Sequence, residues 1–157
     1  MATHDLWTVH DTKASFTHTL ASLATATSRQ TTMINNTSTF RPAAIVAFDI
    51  ESNGSAPTAG STYELYLLRG NAASPTVSTD NAGASDAAIT IENAPMLGAI
   101  VVTATANKHF YGDFDTAALG PLGPLWGIAV KNNSGQSLHA TEGNHLKTYQ
   151  TYYQQIQ

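Results

Sequence analysis

Apolar and polar residues alternate with a period of two along most of the chain. In AAIVAFDIES (43–52) every second side chain is apolar, whereas Asp49 and Glu51 fall between the apolar positions. The same alternation recurs in STYELYLLRG, KHFYGDFD, LWGIAVKN and HLKTYQTYY, and LGAIVVTAT adds a run rich in β-branched residues. Because successive side chains of a strand point to opposite faces, each stretch is predicted to be a strand with one buried face. The side chains expected to be buried are Ala44, Val46, Phe48, Ile50, Tyr63, Leu65, Leu67, Phe110, Phe114, Trp126, Ile128 and Val130.

Turn-forming residues separate these stretches. The separators ESNGSAPTAGS, RGNAASP, TDNAGASD, NNSGQ and EGN consist largely of Gly, Pro, Asn, Asp and Ser, which favour turns. Eight or more short strands between such turns predict an all-β domain, either an antiparallel sandwich or a barrel. In KASFTHTLASLAT, Phe16, Leu20 and Leu23 have helical spacing, but the Thr and Ser content favours a strand. No internal repeat or linker interrupts residues 14–157, which are predicted to form one domain.

Two segments do not fit a simple series of strands. Residues 1–13 precede the domain, and Trp7 and Val9 alternate within them, so we expect an arm that lies on another surface. The Gly-Pro-Leu-Gly-Pro-Leu stretch at 120–125 is apolar, yet its prolines exclude a helix or a paired central strand. We expect a rigid crossover that delivers Trp126 into the core. The leucines that would then cover either the end of the domain or a neighbouring subunit are Leu119, Leu122 and Leu125.

The low charge content narrows the classes of partner. Charged residues make up 11% of the chain, compared with about 25% in typical soluble domains. The seven Lys and Arg residues are scattered and the net charge is −4, which argues against nucleic acid or an anionic membrane surface as a partner. The chain has no cysteine, and we expect neither a signal peptide nor a transmembrane helix. A polar, uncharged surface suits packing against copies of the chain or a large assembly, but is equally typical of a Thr-rich β domain.

Three groups of polar residues resemble parts of catalytic or metal sites, but each lacks an essential feature. The segment HATEGNH contains residue types that bind zinc or iron, although Gly143 and Asn144 indicate a turn rather than a helix. YGDFDT offers two carboxylates on one strand face but no third polar partner, and TDNAGASD lacks the alternating acids of a calcium loop. We therefore predict no catalytic, cofactor-binding or metal-binding residues. The residues concerned are His139, Glu142, His145, Asp113, Asp115, Asp80, Asn81 and Asp86.

Several stretches resemble a family of small all-β virion proteins of tailed bacteriophages. LYLLRGN, LGPLWGIAVKNNSGQSLHATEGN and YQTYYQ match that family's Tyr- and Leu-rich strand, its Leu-Gly-x-Leu-Pro-like turn, the strand starting at Trp-Gly and the Asn-x-Ser/Thr-Gly hairpin. The earlier LASLATATSRQTTMINNTS is similar to the family's amino-terminal pair of strands. The resemblance covers most of the chain and consists of sequence patterns typical of the family's turns and strands. The longer GPLGPL crossover departs from the pattern and leaves open which surface the crossover meets.

The resemblance implies a jelly-roll-like β-sandwich carried on the virus particle, without catalytic residues or cofactors. We expect a capsid decoration or cement protein that bridges major capsid subunits, or else a structural protein of the head–tail junction or tail. The expected partners are the major capsid protein and copies of this chain, as a trimer or a dimer, in a virion assembled in the host cytoplasm. The residues expected at contact surfaces are Trp7, Val9, Leu119, Leu122, Leu125, Tyr149, Tyr152 and Tyr153.

Two other functions remain open at this point. The tyrosines at 149, 152 and 153 would suit a platform that stacks on sugar rings, as in an adhesin or a lectin-like module. A metal hydrolase would instead use His139, Glu142 and His145.

Overall fold

The computed structural model describes residues 6–71 and 77–156, which form two antiparallel sheets packed face to face. No α-helix occurs in these ranges, and no helix in them is long and apolar enough to cross a bilayer. Three short 3₁₀ turns lie at Thr79–Asn81, Thr116–Leu119 and Glu142–Asn144. The strands are β1 (Leu6–His10), β2 (Ala14–Ser15), β3 (Ser28–Gln30), β4 (Ile34–Asn35), β5 (Ala43–Glu51), β6 (Thr62–Gly70), β7 (Ala87–Ala88), β8 (Met96–Val101), β9 (His109–Asp115), β10 (Leu125–Asn132) and β11 (Leu146–Ile156).

The strand order is that of a jelly roll. The first sheet runs β1-β11-β5-β9, with β2 also paired to β11; the second runs β7-β3-β10-β6-β8, with β4 also paired to β10. Each of the pairs β1/β2 and β3/β4 follows one partner strand and acts as a single interrupted strand. Counted in this way and without the short β7, successive strands change sheet at every step except from β6 to β8, as in a jelly roll's two Greek keys. The predicted all-β antiparallel sandwich is thus confirmed.

The core lies between the sheets and matches the alternation read from the sequence. Every side chain predicted to be buried there has at most 7% exposure except Phe114, which is half-buried and packs against the core. Phe16 joins the layers, because its ring stacks on Phe48 at 5.7 Å and meets the edge of Trp126 at 5.8 Å. Burial of these apolar side chains is the main force that holds the two sheets together.

A third layer, residues 77–95, covers the outer face of the second sheet. Leu68, Leu125 and Ala129 point away from the central core, yet they are buried in a second apolar cluster with Ala82 and Ala94 from this segment. The segment is tied down by polar side chains. The carboxylate of Asp80 accepts hydrogen bonds from the amides of Asn93 and Ala94, and the amide of Gln30 donates to the carbonyls of Gly83 and Ser85. β10, at the centre of the second sheet, is therefore buried on both faces.

The segment KASFTHTLASLAT forms neither a helix nor a long strand. Only Ala14–Ser15 is strand, and the rest is an irregular connection that places Phe16 and Leu20 in the core. Left-handed backbone at Ser22 and Ala26 turns the chain toward the second sheet. The strand expected here is thus wrong beyond its first two residues, because tertiary burial of two anchors outweighs local propensity.

His18 is buried in this connection, between the two sheets. Its Nε2 lies 3.0 Å from the carbonyl oxygen of Arg29, to which it donates, and its ring meets Phe48 edge-on. Burial lowers the pKa of His18 to about 4. The folded protein therefore binds fewer protons at this site than the unfolded chain does between about pH 4 and 6.5.

We expect the free energy of unfolding to fall as the pH drops through this window. His18 alone should remove roughly 2 kcal/mol between pH 7 and pH 5, because protonation favours the unfolded chain. The variant His18→Gln, which has no titrating group, should lose most of this pH dependence in urea unfolding curves. His10→Gln, at an exposed position, is the control and should keep it; an equal slope in His18→Gln would contradict the assignment.

Candidate interaction surface

The first and last strands form a ribbon that extends past the rest of the sandwich. β5 pairs with β11 only as far as the partners Ala43 and Tyr152, whereas β1 pairs with β11 from Tyr152 to Ile156. The five residues at each end of the chain's described part, Leu6–His10 and Tyr152–Ile156, therefore have only each other as strand partners beyond that point. We call this pair the terminal ribbon.

The terminal ribbon lacks Asp, Glu, Lys and Arg and exposes several large apolar side chains. Leu6 is 62%, Trp7 56% and Ile156 67% exposed. Neither Leu6–His10 nor Tyr152–Ile156 contains Asp, Glu, Lys, Arg or Pro. Trp7 and the half-buried Val9 share the ribbon face that continues the inner face of the sheet. A two-stranded ribbon of this kind has little stability of its own in water, so it presents a surface that gains by being covered.

A charged pair fixes the base of the ribbon. The guanidinium of Arg41 donates two hydrogen bonds to the carboxylate of Asp11, at 2.6 and 2.8 Å. Thr151 of β11 donates to the same carboxylate, and Arg41 lies 4.1 Å above the centre of the Tyr153 ring. The hydrogen bonds from Arg41, assisted by that from Thr151, outweigh burial and lower the pKa of Asp11. The loop before β5 is thereby clamped to both strands of the ribbon.

The Gly-Pro-Leu-Gly-Pro-Leu crossover connects β9 of the first sheet to β10 of the second. Gly120 and Gly123 both have positive φ, near 85° and 80°, a conformation that side chains disfavour. Arg69 donates hydrogen bonds to the carbonyls of three crossover residues, Leu119, Gly120 and Pro121. Asn36 donates to the carbonyls of Gly123 and Pro124, so the crossover is a rigid turn whose backbone acceptors are satisfied mainly by Arg69 and Asn36.

The crossover leucines face this chain rather than a partner. Leu122 and Leu125 are at most 2% exposed, Leu122 in the central core and Leu125 in the second cluster. Leu119 is half-buried and packs against the core. Leu122 and Leu125 are thus buried within this chain, which corrects the expectation that they form a contact surface. Intramolecular cover holds for both, but Leu125 lies under the segment at 77–95 rather than at the end of the sandwich. Trp126 is fully buried, as expected.

An apolar depression of about 540 Å³ lies between the crossover and the terminal ribbon. Phe40 stands at this depression with 53% of its surface exposed. The sequence did not point to Phe40, because the loop TSTFRP shows no alternation of apolar and polar residues. The signal that could have identified it is an aromatic residue in an otherwise polar loop. The depression is lined among others by Phe40, Pro42, Ala117, Pro121, Tyr152 and Tyr153.

The carboxyl-terminal tyrosines do not share one exposed face. Tyr149 points inward, where its ring packs against Phe16 and Trp126. Tyr152 points to the opposite side of β11 and donates to the carboxylate of Asp115, and burial together with this bond raises its pKa to about 12. Only Tyr152 and Tyr153 reach the depression. The three residues therefore do not form a single sugar-stacking platform.

The histidine and glutamate residues of HATEGNH are used in structural contacts. The carboxylate of Glu142 accepts hydrogen bonds from the amides of Leu20 and Ala21 and pairs with Lys147. Burial opposes the charge, but these bonds outweigh it and lower the pKa of Glu142. His145 is buried between the amide of Glu51 and the carbonyl of His139. Within residues 6–71 and 77–156, no group of three or more His, Asp or Glu side chains is arranged to hold a metal ion.

Three of the other carboxylates singled out in the sequence also make structural contacts, whereas Asp113 is exposed on β9. Asp115 caps the turn that follows β9, because its side chain accepts from the amide of Ala117. Asp86 pairs with Arg29 and accepts from the hydroxyl of Thr19. Together with Asp80 in the covering segment, these contacts tie loops to the sandwich.

Comparison with known proteins found no matching protein family, curated protein or solved structure. The geometry of the chain itself therefore has to identify the surface of interest. The terminal ribbon, Phe40 and the depression between them lie together at one end of the sandwich, and this ribbon end is the candidate interaction surface.

Loss of the Asp11 carboxylate should loosen the terminal ribbon without unfolding the sandwich. In Asp11→Asn the paired charge is lost, at a cost of about 1 kcal/mol for a partly exposed pair. Amide hydrogen exchange at Val9 and Tyr153 should then become roughly fivefold faster, while exchange in β5 and β10 stays unchanged. Asp113→Asn, at an exposed position on β9, is the control. Unchanged exchange in the ribbon of Asp11→Asn would show that the charged pair does not hold it.

Proposed function

We propose that this protein is a structural component of a tailed-phage virion, a capsid decoration protein that binds the assembled shell through its ribbon end. One observation carries the proposal. An uncharged ribbon with exposed apolar side chains, the exposed ring of Phe40 and an apolar depression lie together at one end of the sandwich. The resemblance of the sequence to small all-β virion proteins supplies the class of partner, the major capsid protein.

The physical character of the ribbon end suits a protein partner. The crossover that borders the depression is held by two prolines and by Arg69, so it loses little conformational entropy on docking. The apolar side chains Phe40 and Trp7 are the types that contribute most to protein interfaces when they are covered. A protein that binds the assembled shell and not the separate subunits stabilises the shell by mass action.

A structural rather than catalytic role is also supported by how the polar side chains are used. Glu142, His145 and Asp115 each hold a loop or a turn in place through named hydrogen bonds. A carbohydrate-binding role is less well supported, because Tyr149 packs against Phe16 and Trp126 and points to the opposite side of β11 from Tyr152.

The number of copies in the virus particle tests the role. Particles of the phage that encodes this chain would be purified and quantified by mass spectrometry against the major capsid protein. A capsid decoration protein should be present at a ratio of the same order as the capsid protein. A few copies per particle would move the protein to the neck or tail, and absence from the particle would exclude a virion role.

The contribution of Phe40 tests the surface. Phe40→Ser should weaken binding to assembled shells at least tenfold, because an exposed aromatic anchor at an interface is lost. Tyr111→Ser removes an aromatic ring of similar exposure, 61%, from the opposite edge strand β9 and should change binding less than twofold. Cosedimentation of each variant with shells lacking the protein measures both. Equal losses in the two variants would place the contact elsewhere.

A further inference from the structure

The outer edge of β1 is a free strand edge. No strand in the described part of the chain pairs with β1 on the side away from β11. The amide of Asp11 donates to the carbonyl of Thr151, just after the register pair His10–Tyr152. Because backbone groups alternate in direction along an antiparallel strand, residues 7 and 9 bond to β11. The N–H and C=O groups of Leu6, Thr8 and His10 therefore point outward.

Nothing in the sequence of β1 protects this edge. Natural edge strands are usually blunted by charges, proline, bulges or shortness. The edge strand β9 carries Asp113 and Asp115, and β7 is only two residues long. β8 follows Pro95, and its pairing with β6 contains a register shift between Leu65 and Tyr66. β1 has five residues and contains no Asp, Glu, Lys, Arg or proline.

We propose that two copies of this protein pair through their β1 edges, antiparallel about a twofold axis at Thr8. In that register Thr8 faces Thr8 of the second copy, and Leu6 faces His10 of the second copy. These are the residues whose backbone groups point outward, and each such pair can exchange both of its N–H···O bonds. The first sheets of the two copies then join into one continuous sheet.

The second copy is the occupant because the edge is complementary to itself. The twofold register places Trp7 beside Val9 of the second copy on one face, an aromatic and β-branched pair that is favourable across strands. It places Thr8 beside Thr8 on the other face, and Leu6–His10 itself contains no Asp, Glu, Lys or Arg. A twofold interface uses the same surface on both partners, so the contact closes at a dimer. The added strands also support a ribbon that has only two strands by itself.

This inference concerns the free protein and does not depend on the proposed virion role. It is tested by sedimentation velocity of the full chain over a range of concentrations. The natural protein should form a concentration-dependent dimer. Thr8→Pro removes an outward N–H without touching the bonds to β11 and should raise the dimer Kd at least tenfold. Thr8→Val keeps the backbone donor and should stay within threefold. A protein that remains monomeric at millimolar concentration, or a dimer that Thr8→Pro leaves unchanged, would overturn the proposal.

A second measurement tests the register directly. It does not depend on Thr8→Pro, which could lower dimerisation simply by loosening β1. The chain has no cysteine, so Thr8→Cys can carry a single nitroxide label. Pairing about Thr8 brings the two labels together and should give strong dipolar broadening of the spectrum. Thr90→Cys, exposed on the far side of the second sheet, is the control and should give none. A dimer whose Thr8 labels show no broadening contradicts this register, whatever the shell-binding experiments report.

Discussion

The pairing of β1 with β11 is the constraint on which the ribbon end depends. β11 continues past the point at which β5 begins, so its last residues would have no strand partner on either side without Leu6–His10. Asp11, just after β1, accepts from Arg41 and Thr151 and so joins the loop before β5 to both strands. The depression beside Phe40 exists because these three segments are held together.

The few charges of this chain are largely used to hold loops in place. Arg41 holds the loop before β5 to Asp11 at the base of the ribbon. Arg69 donates to three carbonyls at the start of the crossover, and Arg29 binds Asp86 of the covering segment. Lys147 pairs with Glu142, whose carboxylate also accepts from the connection after β2. Much of the small number of charges is thus committed to internal contacts, and the terminal ribbon contains none of them. An uncharged surface of this kind favours association with other protein surfaces.

The ribbon end combines a rigid crossover with a two-stranded ribbon that lacks further strand neighbours. The crossover is fixed by its glycine conformations and by Arg69, whereas the ribbon lacks neighbours on its outer sides. A fixed apolar depression therefore lies beside an unpaired strand edge at the ribbon end. On the far side of the sandwich, the edge strand β9 carries Asp113 and Asp115, and β8 pairs with β6 through a register shift.

The sequence by itself determined the strands and the faces they bury, because period-two alternation directly reflects the geometry of a strand. The alternate positions Ala44, Val46, Phe48 and Ile50 of β5, and Trp126, Ile128 and Val130 of β10, are buried as their spacing predicts. Only the tertiary structure decided which surfaces remain free. Leu125 looks like a contact residue in sequence, but the segment at 77–95 folds over it, and Phe40 becomes exposed beside the crossover through contacts distant along the chain. Such layering depends on long-range packing, which no local pattern of residues encodes.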